Sequence, residues 1–238
     1  MSEAYIEHYT EGTTLFIVLN RPEKYNCFGM LELEAVEQLL MDAETDSEIR
    51  AVAFQGKGEK AFSTGANLGE FKALDDQGIA DWIRKGHVVF NYLACFPKPT
   101  VALLQGYVLG GGLELALACD FRLARETVVM GCPELRHGWL PGWGGMHRLQ
   151  RCIGDAAARE LVFLSENLDA AAALRLGLVH RVFGKVEWEP ECSAWLEKLA
   201  LADPEAVKMA KAAFSKDSQT DATAISEDVQ RTLRLRTK

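Results

Sequence analysis

The chain has no apolar run of membrane-spanning length, which excludes a helix that crosses a bilayer within its 238 residues. It lacks an excess of positive charge. Lys and Arg number 26 against 34 Asp and Glu, and the formal net charge of −8 disfavours sequence-independent binding to nucleic acid or an anionic membrane. It also lacks paired cysteines. The thiols at Cys27, Cys95, Cys119, Cys132, Cys152 and Cys192 form no C-x-x-C pair, and no histidine stands at zinc-finger spacing from them. Free thiols in a reducing compartment fit that scatter better than disulfides or a structural metal. The start, Met1-Ser2-Glu3-Ala4, has neither the basic residues nor the apolar block of a signal peptide, so the expected location is the cytoplasm. Internal repeats and low-complexity linkers are missing as well. With 48% hydrophobic and 25% charged residues, the composition is that of a globular protein with one large domain, or one domain plus a short appendage.

What the chain does have is alternation. Thr14 to Leu19 is a continuous apolar run that predicts a strand, closed by the turn Asn20-Arg21-Pro22-Glu23. Leu31, Leu33, Val36, Leu39 and Leu40 have helical spacing within 30–46. Ala51 to Gln55 predicts a short buried strand with its turn at Gly56-Lys57-Gly58, then a polar loop after Leu68, then a helix around 79–93 stopped by Pro97 and Pro99. A strand at 100–104, a helix at 109–118 and a strand at 121–124 follow. Strand, helix, strand in this order predicts parallel pairing through right-handed crossovers, an α/β fold. From Asp155 the composition shifts to Ala- and Leu-rich helix, broken by Val179-His180-Arg181-Val182-Phe183, and Pro204 opens a last helix running to about Phe214. The expected organisation is an α/β core over 1–185 and a helical region over 186–238.

Two glutamates stand out against this background. Glu114 follows Gly110-Gly111-Gly112-Leu113, and Glu134 lies in Pro133-Glu134-Leu135 ahead of Leu140-Pro141-Gly142-Trp143-Gly144-Gly145. Glycines that end a strand and open a helix leave backbone N–H groups bare, and such groups stabilise an oxyanion. Two carboxylates beside that oxyanion can move protons on and off the neighbouring carbon. Glu114 sits inside the apolar string Leu113-Glu114-Leu115-Ala116-Leu117-Ala118, where an unpaired carboxylate is costly, so a functional role explains it better than a solvated one. Glu134 taken alone reads as an ordinary helix-start residue. His137 and His147 read as satisfied or exposed histidines, Cys119 and Cys132 as packed thiols, and Trp139 and Trp143 as core or pocket-wall residues.

The segment Lys98-Pro99-Thr100-Val101-Ala102, continuing through Gly106-Tyr107-Val108-Leu109-Gly110-Gly111-Gly112-Leu113-Glu114-Leu115 to Cys119-Asp120, resembles the signature of the crotonase (enoyl-CoA hydratase/isomerase) superfamily. Asn20 to Asn26, Ala61 to Leu68, Pro133 to Gly145 and Ala173 to Val179 match in the same order. The resemblance implies a crotonase-like spiral of ββα units with a C-terminal helical region that packs homotrimers or homohexamers. It implies a thioester carbonyl polarised by the N–H groups of Ala66 and Gly111, with a thioester enolate as intermediate. Glu114 resembles the residue that activates water for addition at C3, and Glu134 the one that exchanges the proton at C2. Lys24, Cys27 and Phe28, with Ala66, Asn67, Leu68 and Gly111, resemble positions that line the arms of coenzyme A. The implied partner is an acyl-CoA or acyl-carrier thioester, with no permanent cofactor, no metal, no nucleic acid and no membrane.

Three departures from the family pattern bear on the substrate. Asn67 replaces the common Asp, Trp143 fills a position that is commonly small, and the chain ends ten residues after Ser226-Glu227-Asp228. That ending implies a shortened C-terminal region, whose basic residues Arg231, Arg234, Arg236 and Lys238 read first as a solvated helix face, with a substitute phosphate contact as the alternative. The leading expectation is an enoyl-CoA hydratase. Isomerisation, decarboxylation or thioester hydrolysis at the same oxyanion site, carrier-bound substrates, and a non-catalytic scaffold remain open alternatives.

Overall fold

A computed structural model describes residues 5–215 and, beyond them, 225–226, 229–230 and 233. Strands β1 (Ile6–Glu11) and β2 (Thr14–Leu19) form an antiparallel hairpin that leads into helix α1 (Met30–Thr45). Two strands then a helix is the repeating unit from there. β3 (Ala51–Gly56) and β4 (Ala61–Ser63) precede α2 (Leu68–Ala73) and α3 (Asp76–Ala94). β5 (Thr100–Leu104) and β6 (Tyr107–Leu109) precede α4 (Gly111–Ala118). β7 (Phe121–Arg125) and β8 (Val129–Gly131) precede α5 (Gly145–Ile153) and α6 (Asp155–Leu164). β9 (Leu168–Asp169), α7 (Ala170–Arg175), β10 (Arg181–Phe183), α8 (Trp188–Ala200) and α9 (Pro204–Ser215) follow.

The two strands of each unit go to different sheets. The first joins a six-stranded sheet of order β1-β2-β3-β5-β7-β10, parallel throughout except at β1; the second joins a four-stranded sheet of order β4-β6-β8-β9. This is the expected spiral of ββα units. The continuous apolar runs of β2, β3 and β5 follow from burial on both faces, the habit of parallel strands. Leu15, Ile17, Val52, Phe54 and Ala102 point into the main core, while Phe16, Ala53, Val101 and Leu103 meet Trp188, Cys192 and Leu196 of α8 on the opposite face. Helix α4 is buried along its whole length, as an all-round apolar helix must be.

Several elements differ from the sequence expectation. The segment after Leu68, expected as a polar loop, is the helix α2, followed by α3 with Asp75 capping Gly78 N–H. Phe71 anchors α2 by packing on Trp82 and Trp139, a tertiary contact that outweighs the polar local composition. Leu109, expected in a helix, ends β6; Gly110 turns the chain at φ 53°, and α4 starts one residue later. β1 carries exposed residues along most of its length and so shows no alternation, and β4, β6, β8 and β9 are too short to show any. The basic residues Arg231, Arg234, Arg236 and Lys238 lie outside the described residues. Among the described residues, no helix is long and apolar enough to cross a membrane.

Candidate active site

The site is built where the second sheet hands over to α4. Gly65 and Gly111 touch back to back: a Cβ on Gly65, which sits at φ 82°, would lie 2.4 Å from the Gly111 nitrogen. Only glycine permits both that approach and that φ. Ala66 follows directly. Phe28 N–H donates to Gly65 O and Asn67 N–H donates to Phe28 O, so the bonds that bracket Ala66 leave its own N–H facing away from Phe28. Gly111 N–H opens α4 and has no intrahelical acceptor. Asn26 and Ser63 pin this corner. The Asn26 amide donates to Lys57 O and Ala61 O, and Ser63 Oγ donates to Asn26 O while accepting from Gly65 N–H.

Glu114 lies one helical turn beyond Gly111 and is 3% exposed. Its Oε1 accepts from the N–H of Trp143 and of Gly145, both at 2.8 Å, at the mouth of helix α5. Burial pushes the Glu114 carboxyl above the ordinary carboxylate range, while those two N–H groups, His87 and Arg148 pull the other way. Arg148 in turn donates to Trp143 O at 2.7 Å and to Asn91 Oδ1, tying α5 to α3 behind the carboxylate.

Glu134 has the opposite surroundings. It sits in the 3₁₀ turn Pro133–His137, and its Oε2 is sealed from solvent with no hydrogen-bond partner among the described residues, although part of the residue is exposed. Burial first, and the charge of Glu114 second, push its pKa up to about 8. The two carboxyls therefore differ in kind. Glu114 has donors that favour the anion, whereas Glu134 has none on Oε2, so nothing on that oxygen offsets its burial.

Ala66, Gly111, Glu114 and Glu134 line one cavity of about 50 Å³. Its remaining wall is largely aromatic, with Phe71, Trp82, Trp139 and Trp143 joined by Ile83 and Leu140. The other sequence candidates lie apart from it. Lys24 is exposed at the end of a 3₁₀ turn, Cys27 is buried with its thiol pushed up by burial, Asn67 precedes α2, and Leu68 is exposed. Phe28 contributes its backbone to the Ala66 corner, but its ring is buried and stacks on Trp143 at 5.3 Å. His137 and His147 are exposed, and the six cysteines are free.

Sequence reasoning missed Phe71, Trp82 and Ile83 in the wall and His87 and Arg148 beside Glu114. One signal was available: Gly86 breaks an otherwise good helical pattern, and a glycine there usually has a packing reason. In the structure the indole of Trp143 fills the space its missing side chain leaves.

Comparison with known proteins gives the family. The family model described as enoyl-CoA hydratase/isomerase matches residues 10–236. The short-chain-enoyl-CoA hydratase of Clostridium acetobutylicum is 35% identical over 211 residues, covering 89% of this chain and 81% of that protein. The crotonyl-CoA hydratase of Syntrophomonas wolfei is 31% identical over 205 residues, covering 86% and 79%. Among solved structures, an enoyl-CoA hydratase from Bacillus anthracis superposes with a TM-score of 0.86 at 31% identity, covering 97% of this chain and 90% of that one. Matched over nearly its whole length in both sequence and fold, the chain belongs to the enoyl-CoA hydratase/isomerase family, the crotonase superfamily.

Proposed function

We propose that this chain is an enoyl-thioester hydratase that adds water across the 2,3 double bond of an acyl-CoA. The observation that carries the reading is the unequal pair of carboxyls in one small cavity beside two backbone N–H groups. The thioester oxygen accepts from Ala66 N–H and Gly111 N–H, which stabilise the enolate as it forms. A water lies between the glutamates. Glu114, ionised and fixed through Oε1, takes a proton from that water on its other oxygen while the water oxygen bonds to C3. The π electrons move into the enolate, and Glu134 delivers its proton to C2. Proton exchange through the product and solvent then resets the pair. Isomerisation needs only one carboxyl to shuttle a proton, so the retention of both favours hydration.

Coenzyme A belongs to this reading as part of the substrate, with Lys24, Cys27, Phe28, Asn67 and Leu68 along its path. A homotrimer or homohexamer packed through the helical region 186–238, acting in the cytoplasm, completes it; exposed Met209 and Phe214 on α9 support the packing surface. The test is the decay of the enoyl-thioester absorbance with crotonyl-CoA, in wild type and in Glu134→Gln. Rapid decay in wild type, slowed by more than about 10²-fold in the variant, is expected for loss of a general acid. Wild-type turnover undiminished in Glu134→Gln would remove that residue from the mechanism.

A further inference from the structure

We propose that Trp143 is an acyl-length gate that confines the substrate to a butenoyl-sized acyl group; this rests on the hydratase reading above. The cavity holding both glutamates measures about 50 Å³. On a scale where one water occupies about 10–15 Å³, that is room for about four groups of water size. With the carbonyl at Ala66 and Gly111, the C2, C3 and C4 carbons and the attacking water fill it. Nothing remains for a longer tail.

Trp143 forms one wall of this cavity. Its backbone N–H holds Glu114, and its ring runs from there to the glycine whose N–H faces the carbonyl. A Cβ on Gly111 would lie 2.5 Å from Cζ3 of the ring. An acyl chain that starts at Gly111 and passes Glu114 therefore meets the indole next. The ring cannot swing aside at low cost. It is 1% exposed, stacks on Phe28, meets Trp82 at 4.4 Å and Phe90 at 5.4 Å, and on its other edge fills the space left by Gly86 of α3. Displacing it would also pull on the N–H that fixes Glu114, so a longer acyl group loses both binding and turnover.

The test uses wild-type protein with butenoyl-, hexenoyl-, octenoyl- and decenoyl-CoA. The expected kcat/KM is highest for butenoyl and falls about tenfold or more at each two-carbon step, the range for an oversized group in a rigid pocket. Trp143→Ala is expected to raise octenoyl relative to butenoyl by at least about tenfold. The wild-type series decides without that variant if it fails to fold. Equal turnover of decenoyl and butenoyl, or a preference for cinnamoyl-CoA, overturns the gate while leaving the hydratase reading intact. If no thioester turns over, the hydratase reading fails, and binding of saturated butanoyl- to decanoyl-CoA still tests the gate. Affinity that is flat or falling with length supports it. Affinity rising about fourfold per methylene, the increment for a methylene buried in an open apolar pocket, overturns it.

Discussion

Replacing Glu134 by Gln should change how stability depends on pH, by an amount that follows from the buried carboxyl. In the unfolded chain the Glu134 side chain has its ordinary value of 4.5, and in the folded protein burial and Glu114 raise it to about 8. Between those values the folded state binds one proton more than the unfolded state. Stability from this group is therefore fully present below the unfolded value and is lost as pH rises toward the folded one. One proton of difference corresponds to about 1.4 kcal/mol per pH unit. From about pH 5 to about pH 7 the integrated loss is about 2.5 kcal/mol, and it depends only on the pair keeping one proton across that window. Gln has a similar shape and does not titrate, so Glu134→Gln should remove this slope. The assay is urea denaturation of both proteins at several pH values and fixed protein concentration. The variant should gain on wild type by about 2.5 kcal/mol between about pH 5 and about pH 7. A difference between the two proteins that does not vary with pH would refute the claim that Glu134 is buried with its proton.

With Glu134 as the acid of the proposed hydration, kcat/KM should fall as pH rises through about 8, as read from a pH–rate profile at substrate well below KM. Gly86→Ala would put a Cβ 2.0 Å from Cδ1 of Trp143, so urea midpoints should show a loss of about 1–3 kcal/mol, with kcat falling as Glu114 loses its fixed donors. Asp120 accepts from Thr100 N–H, Thr100 Oγ1 and the buried Lys211 ammonium, which also donates to Lys98 O. Asp120→Ala should cost roughly 3 kcal/mol by leaving that ammonium unpaired, and Lys211→Met should cost less, because Asp120 keeps its Thr100 donors; urea melts of both variants rank them.

The central strands and the long helices were legible because their own pattern carries the signal. β2, β3 and β5 are largely continuous apolar runs, and α1 and α3 repeat apolar residues at helical spacing. The second sheet was not legible. Its strands are two or three residues long, too short for a period to appear, and they exist because β6 can pair with β4 and β8 once the chain has coiled. Helix α2 was hidden for a related reason, since Phe71 packs against Trp82 of the next helix and Trp139, which is distant in sequence.

By itself the sequence determined the α/β class, the glycine corner and the two glutamates, because each is written locally: in apolar runs, in a triplet of residues without side chains, and in a carboxylate set among leucines. Only the tertiary structure decided what those glutamates are. Twenty residues of chain and two sheets bring them to one cavity, where Glu114 gains two N–H donors from the start of α5 and Glu134 gains none on Oε2. Solvation and hydrogen bonding set the proton affinity of a carboxyl, and both come from neighbours remote in sequence. The size of the cavity is likewise tertiary: a single tryptophan reads as core or wall until its ring is seen packed between Gly86 and Gly111 in the wall of the cavity that holds both glutamates.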